Sequence, residues 1–181
     1  MATTAVPASA QTAGALRAYG VVGLLLAGAV ASTATMWFVV RSPIVDNADW
    51  IGIARGVLVA VWVGAGTYMW WRRRESRLGL LVAGVALLYA GTSLMASADG
   101  VTHTIGRLVL AAFVVCFAYV YLCFPGDRLM AARDRLFIGA FAVTTIALWP
   151  LVLVFSDELP SGGALNECGR RCPAPWLSSA V

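Results

Sequence analysis

The chain alternates between long apolar runs and short polar segments along most of its length. Each apolar run is about twenty residues long, the length that an α-helix needs to cross the hydrocarbon core of a bilayer. Charged residues fall mainly in the polar segments or at the edges of the runs. We therefore predict an all-α fold, a polytopic membrane bundle of about five transmembrane helices, with spans at residues 19–40, 51–71, 78–96, 105–124 and 136–155.

The most strongly basic segment, residues 70–77, lies between the second and third predicted spans. An arginine in hydrocarbon costs at least ~2.5–3.5 kcal/mol on insertion scales, so this segment must lie at a membrane surface. Short arginine-rich loops remain cytoplasmic, and a second basic turn at residues 127–135 falls on the same side. We expect the two turns to anchor the topology through Arg72, Arg73, Arg74, Arg77, Arg128, Arg133 and Arg135.

The distribution of charge predicts the orientation of the chain. With the amino end in the cytoplasm, both basic turns lie inside and most of the nine acidic residues lie outside. Five spans then place the carboxyl end outside. We expect a multi-pass protein that is located in the plasma (inner) membrane. We expect residues 156–181 to form an extracytoplasmic tail or a truncated loop, and the chain to be a fragment or a natural truncation of something longer.

The amino-terminal segment, residues 1–18, is small, polar and without an apolar period, and it is predicted to be a disordered tail. The first span could instead be a secretory signal peptide. Its apolar run continues to Val40, however, and is longer than the ~7–15 residues of a signal core. We therefore predict that the segment is retained as a membrane anchor.

Composition narrows the class of protein. The chain is 60% hydrophobic and 12% charged, whereas a soluble domain carries about 25% charged residues. The net charge of +4 comes from arginines at predicted membrane edges, so nucleic acid is not an expected partner. A single histidine and four cysteines at different depths do not favour a zinc site, and no metal or cofactor is predicted. The expected partners are the lipid bilayer and a second copy in a homodimer.

Four polar residues fall within a turn or two of the predicted outer surface: Arg55, Asp99, His103 and Arg107. One hypothesis is a small polar pocket between helix ends that binds a ligand or senses protons, since ionisable groups near membrane depth are often functional and histidine titrates near physiological pH. The alternative is that the two arginines extend to lipid headgroups or pair with Asp99 and the neighbouring loop.

Two further sets of residues carry specific expectations. Cys168 and Cys172 lie on the predicted oxidising side of the membrane, where they could form a structural disulfide, act as a redox-sensing pair or remain free thiols. Gly52 and Gly56 are four residues apart in the second span, a spacing of small residues that lets two membrane helices approach closely.

Several segments, taken in order, resemble one family. They are Trp50 with Ala54-Arg55-Gly56, then GTYMWWRRRESRLGLLVAG from Gly66, THTIGRLVLA from Thr102, YLCFPGDRL from Tyr121, LWPLVLVFSDELPSGG from Leu148 and CGRRCP from Cys168. This set is similar to the amino-terminal, membrane-embedded input region of actinobacterial sensor histidine kinases, the sensors of two-component signal transduction. The resemblance covers roughly residues 50–173.

The resemblance implies that the chain is a sensory input module without its kinase core. Family members continue to a cytoplasmic helix that carries the phosphorylated histidine and then to an ATP-binding domain. The sole histidine here, His103, is expected at the outer surface, so we predict no catalytic residue on this chain. A kinase core and a response regulator are expected partners only if this chain is part of a longer chain. The alternative, from another class, is a stand-alone structural or accessory membrane protein; a transporter is disfavoured because the spans carry almost no charge at mid-membrane.

Overall fold

A computed structural model describes residues 8–73, 77–124 and 131–155 of the chain, and within these ranges it contains helices and no strands. The α-helices are α1 (Ala8–Val40), α2 (Ala48–Arg72), α3 (Leu78–Gly91), α4 (Gly100–Cys123) and α5 (Ala132–Phe155). A short 3-10 helix, Thr92–Ala96, continues α3.

Five segments are long and apolar enough to cross a membrane: Arg17–Val40, Ala48–Arg72, Leu78–Ala96, Gly100–Cys123 and Ala132–Leu151. The predicted all-α class and the number of membrane-length helices are confirmed. These segments are consistent with a multi-pass membrane protein, whereas the orientation of the termini stays a prediction. The expectations for residues 1–7, for Arg74 and Arg128, and for the tail 156–181 with Cys168 and Cys172 lie outside the described residues.

Helix α1 begins well before the predicted first span. It starts at Ala8, inside the segment for which disorder was expected. Residues 8–16 contain four alanines and lie after Pro7, so strong helix formers continue the helix of the span towards the amino terminus. The part of this helix that is long and apolar enough to cross a membrane is Arg17–Val40.

Helix α4 also begins earlier than expected, at Gly100 rather than near residue 105. Asp99 precedes the first turn with extended backbone angles, and its carboxylate accepts hydrogen bonds from the Thr102 amide at 2.8 Å and from the Thr102 hydroxyl at 2.7 Å. Aspartate is among the favoured residues at this position because it satisfies an amide that has no intrahelical partner. The predicted start of this span at residue 105 was therefore wrong, because the polar first turn is already helical.

Helices α1, α2 and α3 form a tightly packed unit, which we call the three-helix core. Gly52 and Gly56 of α2 face α1 so closely that a Cβ built on Gly56 would lie 2.1 Å from the Met36 Cγ. Ser32 of α1 donates a hydrogen bond to the Gly56 carbonyl at 2.8 Å. The close approach predicted from the spacing of these two glycines is therefore confirmed.

The contact between α2 and α3 depends on a second pair of glycines. A Cβ built on Gly79 would lie 2.4 Å from the Gly66 carbonyl oxygen and 2.4 Å from the Trp70 nitrogen, both of which are backbone atoms. Farther along the core, Val59 and Val63 of α2 and Ala86 of α3 are fully or almost fully buried. Small residues thus let the three backbones approach, and branched residues fill the space between them.

Helix α5 is attached in a different way. Within the described ranges it contacts α4 and no other helix, and none of its residues in the membrane-length segment is buried. Helix α4 in turn packs against α3 and the 3-10 helix. The molecule therefore consists of the three-helix core, with α4 beside it and α5 at the outer edge of α4.

The two ends of the bundle differ in chemistry. At one end, the Arg17 guanidinium donates hydrogen bonds to the carbonyls of Trp70 and Arg73 and lies 5.3 Å from the centroid of the Trp70 ring, so it caps the carboxyl end of α2. We call this the basic end, because Arg72, Arg133 and Arg135 also lie on the helix turns there. The opposite end, which holds His103, we call the histidine end.

Candidate functional site: a polar cluster at the histidine end

The end of α3 and the 3-10 helix that follows it are held by side chains from other parts of the chain. Carbonyl groups in the last turn of a helix have no intrahelical partner and need other donors. Three such donations are present: Arg55 to the Tyr89 carbonyl at 3.4 Å, His103 to the Met95 carbonyl at 2.7 Å, and Ser42 to the Ala96 carbonyl at 2.7 Å. Helix α2, helix α4 and the loop after α1 therefore all fix this segment.

His103 and Arg107 form a buried pair on α4. They are four residues apart and lie on one face of the helix, and they are 4% and 5% exposed. The Arg107 Nε donates a hydrogen bond to the His103 Nε2 at 3.1 Å. Because Nε2 must accept, the ring hydrogen is on Nδ1, which donates to the Met95 carbonyl. This geometry holds His103 as the neutral Nδ1–H tautomer.

A glycine allows the pair to reach the 3-10 helix. A Cβ built on Gly106 would lie 2.5 Å from the Met95 nitrogen and 2.8 Å from the Leu94 carbonyl carbon. Both are backbone atoms, which cannot move aside as a flexible side chain can. Gly106 thus brings the backbone of α4 against the 3-10 helix, close enough for the His103 ring to bond to it.

The pair is also connected to α5. The Trp149 Nε1 donates to the Arg107 carbonyl at 3.0 Å, so this indole joins α5 to α4 at the histidine end. Pro150 follows within the same helix and cannot donate an amide hydrogen to the preceding turn. A continuous series of hydrogen bonds and covalent bonds therefore runs from the 3-10 helix, through His103 and Arg107, to α5.

Arg55 occupies a separate position against the same segment. Its guanidinium lies 4.4 Å from the centroid of the Tyr89 ring and donates to the Thr92 hydroxyl, which itself donates to the Tyr89 carbonyl at 2.7 Å. Among the described residues no carboxylate is hydrogen-bonded to Arg55. Arg55 and Arg107 each lie about 10 Å from the histidine-end start of their helices, at 1.5 Å per residue. Two arginines thus lie at a similar depth.

Asp99 is not part of this cluster. Its side chain is exposed, and hydrogen bonds from the Thr102 hydroxyl and amide lower the pKa of the Asp99 carboxyl below its usual value. The one ion pair found between described residues is at the other end of the bundle, between Arg133 and Asp134 at 3.6 Å. Of the four candidate residues, the structure therefore joins His103 and Arg107, brings Arg55 to the same 3-10 helix and leaves Asp99 as a helix cap.

Sequence reasoning missed the other members of the cluster, namely Ser42, Tyr89, Thr92, Met95 and Trp149. Met95 takes part through its backbone carbonyl, for which no side-chain type gives a signal. Trp149 is distant in sequence from its partner Arg107, and a tryptophan near a helix end is common in membrane proteins. The four-residue spacing of His103 and Arg107 places both on one face of a helix. This signal could be used only if residues 100–104 were recognised as the start of α4.

The cluster offers hydrogen-bond donors and a cation. The described residues include no group of three histidine, cysteine, aspartate or glutamate side chains that could hold a metal ion. Comparisons of the chain with models of protein families, with curated proteins and with solved structures found no match. Functional inference therefore depends on the site and on the sequence segments themselves.

Proposed function

We propose that this chain is a membrane sensory input module of a two-component signal transduction system, of the kind that precedes the kinase core in sensor histidine kinases. It would lie in the plasma membrane with its amino end in the cytoplasm and its carboxyl end outside. It would perform no catalysis itself, and a kinase core and a response regulator would act downstream. The order of sequence segments described above supports the family, and the polar cluster supports the sensory role.

The observation that carries this proposal is the buried His103–Arg107 pair. Placing an ionisable residue at membrane depth costs free energy. Such residues are therefore rare, and they often mark functional positions. A hydrophobic pair could pack α4 against the 3-10 helix without the cost of desolvating a guanidinium. The pair instead connects three elements, because it bonds to the Met95 carbonyl on one side and is joined to Trp149 on the other.

The attachment of α5 suggests what such a cluster would control. This helix contacts only α4 among the described elements, so it can change its tilt without disturbing the three-helix core. A signal that altered the His103–Arg107 contact would change the anchor of α5 at Trp149. Small rigid-body shifts of one helix against a fixed unit are a recurring form of signal transfer. In a homodimer, such a shift would reach both copies.

The experiment compares strains of the source organism that carry the wild-type gene, a deletion, Arg107→Gln or the control Arg41→Gln. Arg41 lies at the same end but is exposed and stacks on Trp37 at 4.7 Å. Transcripts are sequenced, and the abundance of each variant is checked by immunoblot. We expect the deletion to change a defined set of transcripts, Arg107→Gln to change the same set, and Arg41→Gln to leave it unchanged. If the deletion changes no such set, the chain is not a sensory module.

The alternative, a stand-alone structural or accessory membrane protein, has one observation in its favour. Both ring nitrogens of His103 form hydrogen bonds within the protein, as expected of a residue whose role is to hold the 3-10 helix in place. Under this alternative, Arg107→Gln lowers the amount of folded protein. The change in the transcript profile then depends only on how much of the protein is present. Restoring abundance by stronger expression would then restore the wild-type profile, whereas a sensory defect would persist.

A further inference from the structure

An open groove lies between α3, α4 and α5 in the half of the bundle near the basic end. Its volume is about 990 Å³, and its lining is apolar apart from a few side chains, of which Arg135 carries the charge. The groove is open because, within the described ranges, α3 and α5 both contact α4 but do not contact each other. It therefore faces the lipid phase laterally.

The depth and position of the groove match one leaflet of a bilayer. Its lining runs from Leu80 to Leu88 on α3, about 12 Å along the helix axis, and from Arg135 to Ala142 on α5, about 10 Å. Half of a hydrocarbon core of about 30 Å is about 15 Å. Arg135 lies in the first turns of α5, at the surface end of the groove, and the apolar lining extends from there towards mid-membrane.

Two glycines in the lining keep the groove wide. A Cβ built on Gly84 of α3 or on Gly139 of α5 would meet no atom within 4 Å. This contrasts with Gly66 and Gly79, where an added Cβ would meet backbone atoms at 2.4–2.6 Å. Gly84 and Gly139 do not bring helices together, so their effect is to leave space.

We propose that this groove is a binding site for an anionic phospholipid, with an acyl chain along Gly84 and Gly139 and the headgroup phosphate on the Arg135 guanidinium. Charge complementarity favours this occupant, because the lining places a cation at the surface end and apolar side chains below it. Basic pockets between membrane helices on one side of the bilayer are the recurring form of such sites. A second copy of the chain would pack favourably in the groove only if the lining were apolar at the position that Arg135 occupies.

Native mass spectrometry of the full chain, released from micelles that contain phosphatidylglycerol or phosphatidylcholine, tests the proposal. We expect the wild-type chain to retain phosphatidylglycerol more strongly than phosphatidylcholine. Arg135→Gln should weaken the retention of phosphatidylglycerol about five-fold, the effect of one cation near a membrane surface, and should leave that of phosphatidylcholine unchanged. The control Arg133→Gln removes a charge two residues away whose side chain is 90% exposed and is outside the lining. An equal loss in both variants would mean diffuse attraction to the surface and would overturn the site.

Filling the groove provides an independent test. Gly84→Leu and Gly139→Leu each place a side chain in open space, and each should reduce retention of phosphatidylglycerol by a similar factor. Gly23→Leu is the matched control, because Gly23 also has nothing within 4 Å of an added Cβ but lies on α1, away from the groove. Size-exclusion chromatography identifies any variant that fails to fold. Unchanged lipid retention in both filled variants, or a dimer in the wild type that is lost when the groove is filled, would overturn the proposal.

Discussion

The contact faces within the three-helix core and the groove between α3, α4 and α5 use glycine in opposite ways. In the core, glycines bring backbones into contact, as Gly79 does against Gly66 and Trp70. In the groove between α3, α4 and α5, Gly84 of α3 and Gly139 of α5 face empty space, and α5 has no buried residue in its membrane-length segment. Glycine content alone does not distinguish a packed region from an open one. The difference depends on whether each glycine faces another backbone.

The comparison also separates two kinds of arginine. Arg17 lies at the basic end, where it caps a helix and stacks on Trp70 near the membrane surface. Arg107 is buried at the histidine end and bonds to a neutral histidine. The first is an anchor of the kind that the charge pattern predicts. The side chain of the second bonds to His103 and its backbone carbonyl accepts the hydrogen bond from Trp149, so the buried pair and the attachment of α5 meet at one residue.

The largest effect is expected at the core glycine. Gly79→Ala places a methyl group 2.4 Å from backbone atoms, so the helices must separate, and the free energy of unfolding should fall by about 3 kcal/mol. Gly84→Ala on the same helix is the matched control; it meets no atom and should raise stability by up to ~1 kcal/mol through helix propensity. Equilibrium unfolding in mixed micelles measures both. Equal losses would mean that the contrast between the two regions is wrong.

The next effect is expected at the buried pair. Arg107→Leu leaves the His103 Nε2 without its donor, and stability should fall by about 2 kcal/mol. Removing both partners, as His103→Leu with Arg107→Leu, should cost less than the sum of the single changes, because neither the His103 Nε2 nor the Arg107 Nε is then left without the other. The exposed Arg133→Gln should change stability by less than about 0.5 kcal/mol. If the loss of stability in the double variant equals the sum of the losses in the two single variants, the two side chains are not coupled.

A smaller effect is expected where α5 is attached. Trp149→Phe keeps an aromatic ring and removes the hydrogen bond to the Arg107 carbonyl, at a cost of about 1 kcal/mol. Hydrogen exchange followed by mass spectrometry should show faster exchange in α5 and unchanged exchange in α2. Trp50→Phe, an exposed tryptophan at the same end, serves as the control and should alter neither helix. Faster exchange throughout the molecule would contradict the separate attachment of α5.

The smallest effect concerns the cap of α4. The folded-state pKa of Asp99 is lowered by its bonds to Thr102, so the cap contributes stability above the unfolded-state pKa and loses it as pH falls through the folded-state pKa. The melting temperature should therefore stay level from pH 7 to about pH 5 and fall more steeply below about pH 4 in the wild type than in Asp99→Asn. Parallel curves for the two proteins would show that Asp99 does not cap the helix when ionised.

The sequence predicts the number and approximate positions of the spans because hydropathy and charge act locally. The close approach at Gly52 and Gly56 was also predictable, since four-residue spacing on one helix is a local property. The contacts of Arg107 with Trp149 and of His103 with the Met95 carbonyl depend on which helices become neighbours. The groove at Gly84 and Gly139 depends on a contact that is not made between α3 and α5, and no sequence pattern reports that.

The most direct test of this account is the distance between α3 and α5 in lipid nanodiscs, measured by pulsed electron resonance between spin labels at positions 77 and 136 after the four cysteines have been replaced. A second pair at positions 22 and 68 reports on α1 and α2 within the core. We predict that Arg107→Gln shifts or broadens the distance between positions 77 and 136 and leaves that between 22 and 68 unchanged. If the first distance is unaffected by Arg107→Gln, or if both distances change together, the buried pair does not control a separately attached α5.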